Sequence, residues 1–188
     1  MNNKIRMFGV AILILTLITA VVLGIAAGPA NPVTWMLVAL LAFLPLIHKK
    51  WTSRQYIKWK QEYSVGIDSI DQQHKKLLSL INQLQTAVDF STGEQFEHEA
   101  LDQLIDYTRT HFAYEEGLME QNAYPDFESH KKQHEEMIAR VGEVLAEYEK
   151  DQDTAMKNAV IYLKGWLINH INGTDKAYSS FLIGKGVK

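Results

Sequence analysis

The sequence contains no cysteine, and this absence excludes several kinds of site at once. Disulfide bonds, thiolate-bound metals and haem attached covalently through cysteine all require that residue. Acidic residues are missing from the first fifty positions, so all 22 of them follow, together with 15 of the 19 basic residues. The chain after residue 50 therefore carries a net charge of −7, which makes it a poor candidate for binding nucleic acid.

Charged side chains are also missing from most of the N-terminal region, where none occurs between Arg6 and His48. The first apolar run predicts a transmembrane helix at about residues 7–27, because a helix that crosses the hydrocarbon core needs about 20 apolar residues. A second apolar run, Val33–Ile47, is only 15 residues long and is marginal as a span. We predict that it forms a second transmembrane helix at about residues 31–48, completing a two-helix hairpin.

A cleaved signal peptide is the alternative, because Lys4 and Arg6 precede the first apolar run and small residues end it. The second apolar run and the basic cluster that follows it favour a retained anchor instead. Since basic residues flank both ends of the hairpin, the positive-inside rule places both ends in the cytoplasm. We therefore predict a membrane anchor over residues 1–50 and a basic linker over residues 51–62.

The chain after Tyr63 repeats apolar residues every three or four positions, which is the pattern of amphipathic helices. Four such segments are separated by short polar breaks at Asp89–Glu94, Asn122–Asp126 and Lys150–Thr154. No strand-like alternation competes with this pattern. Short connections between amphipathic helices predict an all-α, up-down-up-down four-helix bundle.

Histidines interrupt the apolar faces of all four predicted helices. A single histidine on such a face is usually structural, but burying several imidazoles without partners costs too much free energy. Five of the seven histidines lie there: His74, His111, His130, His134 and His170. Residues four apart share a helix face, which pairs His130 with His134 and His111 with Glu115.

The last helix offers His170 and Asp175, which are five residues apart. On a regular helix this spacing leaves two side chains about 140° apart. We therefore expect the helix to bend or overwind at this point, with Gly173 as the residue that permits it.

Five imidazoles and two carboxylates are too many ligands for one zinc ion, which is usually four-coordinate. Imidazole combined with carboxylate in a bundle core suits iron or manganese, and a pair of ions would use all seven groups. Two six-coordinate ions offer twelve positions, of which the histidines, two bridging carboxylates and one oxygen bridge fill eleven. One position stays open for a small molecule.

Four motifs, in this order, resemble those of the hemerythrin family, specifically its bacterial members. They are SVGIDSIDQQHKKL (64–77), HFAYEEGLM (111–119), HKKQHEEM (130–137) and WLINHINGTDKAY (166–178). The resemblance covers about Tyr63–Leu182, with every ligand position matched, and implies a hemerythrin-like domain over residues 63–188. The N-terminal fifty residues depart from the family's blood pigments, which lack them.

The resemblance implies two non-haem iron ions joined by an oxo or hydroxo bridge. His130, His134 and His170 would bind one iron, and His74 and His111 the other. Glu115 and Asp175 would bridge the two ions. Dioxygen would bind at the open position of the second iron.

The ligand balance favours reversible binding over catalysis, because oxygen-activating di-iron bundles typically carry four carboxylates and two histidines. Apolar neighbours of the ligands favour it too, since a dry pocket slows proton delivery. The pocket residues that we predict are Leu77, Phe112, Trp166 and Leu167. The other acidic residues near the ligands, Glu116, Glu135 and Glu136, are expected to face solvent.

We therefore expect a protein without enzymatic activity at the bacterial inner (cytoplasmic) membrane, with its di-iron domain on the cytoplasmic side. It would store dioxygen or deliver it to a membrane oxidase or oxygenase. The alternatives are an oxygen or redox sensor, and a di-iron enzyme that acts on peroxide or nitric oxide.

Overall fold

The computed structural model describes residues 3–28, 30–52, 56–90, 93–146 and 152–188. They fall into two compact units, Met1–Tyr56 and Ile57–Lys188. All regular secondary structure in these ranges is helical. This confirms the prediction that the chain is all-α.

The N-terminal unit consists of α1 (Asn3–Ala27) and α2 (Pro32–Thr52), which pack against each other. Within α1, Phe8–Ala27 spans 20 residues with a mean hydropathy of 2.8 and is long and apolar enough to cross a membrane. The apolar part of α2, Pro32–Pro45, is shorter than a membrane span requires. Among the described residues, one helix rather than two is therefore long and apolar enough to span a membrane.

The second unit is built from α3 (Asp68–Phe90), α4 (Glu94–Gln121), α5 (Phe127–Ala146) and α6 (Gln152–His170). Each of these helices packs against the next along the chain, and α6 also packs against α3, so the four close into a ring. The predicted polar breaks coincide with the ends of α3 and α4 to within a few residues. Of the third predicted break, Lys150–Thr154, residues 150 and 151 lie outside the described residues, and residues 152–154 begin α6.

The core of this unit is formed by apolar side chains from all four helices. The fully buried examples include Leu84 of α3, Leu104 and Met119 of α4, and Met156 of α6. Each side chain of this size stabilises the fold by about 1.5–3 kcal/mol when it leaves water. The five histidines of the predicted site are buried within this packing.

The chain does not continue α6 as an α-helix beyond His170. Residues Ile171–Asp175 are π-helical, and a final helix, α7 (Lys176–Gly184), follows. A π-helix is underwound, with hydrogen bonds between residues five apart. The predicted departure from a regular helix is therefore confirmed, but the turn is underwound and not overwound. A Cβ atom at Gly173 would meet nothing within 4 Å, so no steric contact requires glycine there.

Candidate metal centre

All seven predicted ligands are buried and converge at one place in the bundle. α3 contributes one of them, α4 and α5 two each, α6 one, and the π-helical segment the last. Their exposed fractions run from 0% for His74, Glu115 and Asp175 to 5% for His170. All five histidines turn Nε2 towards the centre, where these atoms lie within 4 Å of a carboxylate oxygen.

Three of the histidines form one tight group. The Nε2 atom of His134 lies 3.0 Å from that of His130 and 3.1 Å from that of His170. Two nitrogen ligands bound at right angles to one metal ion, at about 2.1 Å each, would stand about 3.0 Å apart. The spacing of these atoms therefore suits a single shared ion, with one oxygen of Glu115 within 4.8 Å of all three.

The other two histidines form a second group with the same glutamate. His74 and His111 meet edge to face, with ring centroids 4.9 Å apart. One ligand atom from each of them and from Glu115 can be chosen so that all lie within 4.8 Å of one another. The division into three and two histidines is the one that we predicted, and the binding of iron by each residue stays a prediction.

Both carboxylates lie between the two groups. Glu115 places Oε1 at 3.6 Å from His74 Nε2 and Oε2 at 3.6 Å from His134 Nε2. Asp175 places Oδ1 at 3.0 Å from His170 Nε2 and Oδ2 at 3.2 Å from His74 Nε2. Each carboxylate can therefore bridge two ions.

The two buried carboxylates keep their negative charge. Burial raises the pKa of Glu115, but the surrounding histidines, His111 foremost, outweigh it and hold that pKa well below its usual range. Burial and the nearby Glu115 raise the pKa of Asp175, but the close imidazoles of His170 and His74 outweigh them and lower it. Two anions in a dry core call for cationic partners.

The histidines respond to these anions unequally. Burial lowers the pKa of His74, but Asp175 and Glu115 together raise it to about 9. Burial dominates at His134 and lowers its pKa to about 3. A neutral imidazole is the form that binds a metal, so His134 is already prepared for that role.

Several buried polar atoms of the cluster have no hydrogen-bond partner among the described residues. They are both ring nitrogens of His74, Nδ1 of His130, Oε2 of Glu115 and both oxygens of Asp175. A buried polar atom without a partner costs about 1–3 kcal/mol. Two metal ions at the centre would provide partners for the inward-facing atoms of this set, so the residues fit a dinuclear centre.

Three further residues contact the ligands, and none of these contacts was predicted from the sequence. His111 Nδ1 lies 2.9 Å from Oε1 of Gln73, and Tyr178 donates a hydrogen bond to Oε1 of Glu115. Glu116 was expected to face solvent, but its side chain is only 23% exposed and its Oε1 lies 2.9 Å from His134 Nδ1. The expectation for Glu116 was therefore wrong, whereas Glu135 and Glu136 are exposed.

Two of the four predicted pocket residues contact ligand histidines, and the other two lie in the apolar core. Phe112 stacks on His134, with centroids 3.6 Å apart and planes 3° apart, and Trp166 stacks on His170 at 4.2 Å. Leu77 and Leu167 are buried in the core, 2% and 4% exposed. The aromatic residues therefore fix two imidazole rings, and the role of all four in an oxygen pocket stays a prediction.

An open groove of about 440 Å³ lies between α4 and α5 and reaches the cluster at His134. Phe112 and Ile138 contribute to its apolar part, while Glu116 and Glu135 contribute carboxylates. His134 is the one metal-ligand histidine among the residues that line this groove.

A four-helix bundle with five histidines and two carboxylates at its centre is typical of the class of dinuclear, non-haem metal proteins. Within that class the Hemerythrin HHE cation binding domain family matches residues 65–182. The chain belongs to this family, whose domain binds a di-iron centre and, in the oxygen carriers, dioxygen.

Individual relatives agree with this assignment. A bacteriohemerythrin of Stenotrophomonas maltophilia is 39% identical over 121 residues, which cover 64% of this chain and 78% of the relative. Myohemerythrin-1 of Phascolopsis gouldii is 33% identical over 124 residues, or 66% of this chain and 92% of the relative. A crystal structure of wild-type hemerythrin superposes with a TM-score of 0.57 at 30% identity, covering 67% of this chain and 97% of the other.

Proposed function

We propose that this protein binds dioxygen reversibly at its di-iron centre and stores or delivers it at a membrane, without turning it over. The observation that carries this proposal is the pair of histidine groups joined by two buried carboxylates. When bound, two ferrous ions supply the electrons that dioxygen takes up on binding and returns on release.

The protein's own residues favour return of the ligand over its conversion. The ligands are 5% exposed or less and are enclosed by apolar side chains. Burial holds the pKa of His134 and of His111 below the ordinary value, so neither ring is a ready proton donor at neutral pH. Tyr178 bonds to Glu115 while burial and both carboxylates raise the pKa of its hydroxyl well above the ordinary value, so it too holds its proton.

We also propose that α1 and α2 anchor the chain in the bacterial inner membrane, with the bundle on the cytoplasmic side. The apolar stretch of α1 is not buried within the protein, and the hydroxyls of Thr16 and Thr19 bond to carbonyl oxygens one turn earlier. Such internal bonding is required of polar groups in lipid. A Cβ atom at Gly24 would collide with the side chain of Thr34, so glycine allows the two helices to approach closely.

Reconstitution with iron tests the oxygen-binding proposal. The full-length protein should bind two irons per chain and show a visible charge-transfer band that appears in air and disappears under argon through repeated cycles. His134→Ala should lower the iron content while leaving the helical content unchanged. Lys132→Ala is the matched control, because Lys132 lies on the same helix and its side chain is 73% exposed. Consumption of peroxide or nitric oxide with a reductant would indicate an enzyme instead.

A sensor is the second candidate, favoured by the way the chain after the anchor is attached to the bundle. The backbone N–H of Ile57 donates to Oδ1 of Asn82 at 3.0 Å, and the amide of Asn82 donates back to the Ile57 carbonyl at 2.8 Å. Asn82 lies on α3, two turns beyond His74, so the helix that carries a ligand also holds the linker. A change in protease sensitivity of this linker between oxygenated and deoxygenated protein would support sensing over storage.

A further inference from the structure

The histidines of the cluster differ in the hydrogen-bond partner of Nδ1, the ring nitrogen that faces away from the centre. A histidine that binds metal through Nε2 carries its proton on Nδ1 and donates it to a neighbouring acceptor. For His134 the acceptor is the carboxylate of Glu116, and for His111 it is the neutral amide oxygen of Gln73, each at 2.9 Å. One histidine of each group, His134 and His111, therefore has an outer partner, and these two partners differ in charge.

We propose that Glu116 is a positioning residue that lowers the reduction potential of the iron held by His130, His134 and His170. The assignment rests on the function proposed above. A hydrogen bond to an ionised acceptor is about twice as strong as a neutral one, and it makes the imidazole a more basic ligand. A more basic ligand stabilises the ferric state over the ferrous state. Gln73 gives His111 no such charge, so the two irons are unequal.

The carboxylate of Glu116 lies at the partly solvated edge of the cluster. Its side chain is 23% exposed and lines the groove between α4 and α5. The cationic side chain of Lys131 lines the same groove.

The orientation of His134 does not depend on Glu116 alone. Phe112 lies flat against the imidazole, and Trp166 is 6.3 Å from it between centroids. Glutamine at position 116 keeps an oxygen acceptor of nearly the same size. Glu116→Gln should therefore remove the charge while leaving the ring in place and the iron bound.

The test is an anaerobic redox titration of the iron-loaded, full-length protein, followed by its visible spectrum. Glu135→Gln is the matched control, since it removes the same charge from the same groove and Glu135 has no contact with a ligand among the described residues. We expect both variants to bind two irons per chain and only Glu116→Gln to titrate at a higher potential. A tenfold change in the one-electron equilibrium constant corresponds to about 59 mV, and a shift of this order is the result that we expect.

Gln73→Glu provides an independent second variant, because it adds a carboxylate beside His111 and should lower the potential of the other iron. Equal potentials for Glu116→Gln and Glu135→Gln at full iron content would overturn the proposal. If Glu116→Gln loses iron, Gln73→Glu becomes the deciding variant. An unchanged reduction potential in Gln73→Glu would also overturn the proposal. Wild-type protein that binds no iron would instead overturn the proposed function, so the two failures are distinguishable.

Discussion

Replacing Phe112 with alanine removes the aromatic ring that stacks on His134 in the histidine cluster. Phe112 is 6% exposed, lies parallel to His134 at 3.6 Å and meets Trp166 edge-on at 5.8 Å. Loss of a buried phenylalanine costs about 3–5 kcal/mol. The aromatic contacts account for about 0.5–1.5 kcal/mol of this, beyond the buried area. A domain of this kind is stable by about 5–15 kcal/mol, so the variant should fold but lose a large part of its stability.

Two further variants separate burial from stacking. Phe96→Ala removes the same ring from the same helix, α4, at a position that is 61% exposed, and should change stability by no more than about 0.5 kcal/mol. Phe112→Leu keeps an apolar side chain in the core and should cost less than Phe112→Ala. The assay is chemical unfolding of the full-length protein in detergent micelles, followed by tryptophan fluorescence.

The same substitution should also act on the metal centre, because Phe112 lines the groove and lies flat against the imidazole of His134. Without the ring, water reaches the cluster from the groove, and irreversible oxidation of the oxygenated protein should accelerate. If Phe112→Ala destabilised the protein no more than Phe96→Ala does, the packing argument would be wrong. An unchanged oxidation rate would show that Phe112 is not what excludes water at this face.

Three further predictions concern the interior of the bundle. Leu167→Asn should speed irreversible oxidation by admitting water, and an unchanged rate would remove Leu167 from the predicted oxygen pocket. Gly173→Ala should be tolerated and change stability by less than about 1 kcal/mol, because a Cβ atom there meets nothing within 4 Å; a thermal melt checks this. The iron-free bundle should lose stability as the pH falls from about 6.5 to 5, because burial holds the pKa of His134 at about 3 and the unfolded chain takes up the proton first. His134→Phe should flatten that slope in unfolding titrations at several pH values, and an equally steep slope would assign it to other groups.

Regular helical spacing was enough to predict most of the metal ligands from the sequence. His111 with Glu115, and His130 with His134, are four residues apart, so one α-helical turn places each pair on the same face without help from the rest of the fold. The apolar residues around them then decide which face is inside. For these ligands a local rule was sufficient, and the structure brings their inward-facing atoms together.

Contacts that depend on packing between helices were not predictable in the same way. Glu116 lies 18 residues from His134 in sequence, and Gln73 lies 38 residues from His111. Their roles depend on the rotation of one helix against another, which periodicity does not specify to within one residue. Glu116 is also adjacent to an inward-facing residue, and a neighbour in sequence points about 100° away on a helix. The structure places Glu116 at the edge of the core. Glu115 lies inside the core, and Glu116 had been expected to face solvent.

The π-helical segment shows why the last ligand required the structure. If Ile171–Asp175 continued α6 as an α-helix, Asp175 would point about 140° away from His170 and would leave the cluster. The underwound segment instead brings Asp175 Oδ1 to 3.0 Å from His170 and Oδ2 to 3.2 Å from His74. A regular helix is the more stable local conformation, so contacts elsewhere must stabilise the wider turn. The contacts of Asp175 with His170 and His74 hold this segment against the bundle, and Thr174 donates a hydrogen bond to Gln133 at 2.9 Å. The position of this ligand is thus a property of the folded bundle, and the metal centre and the irregular segment stabilise each other.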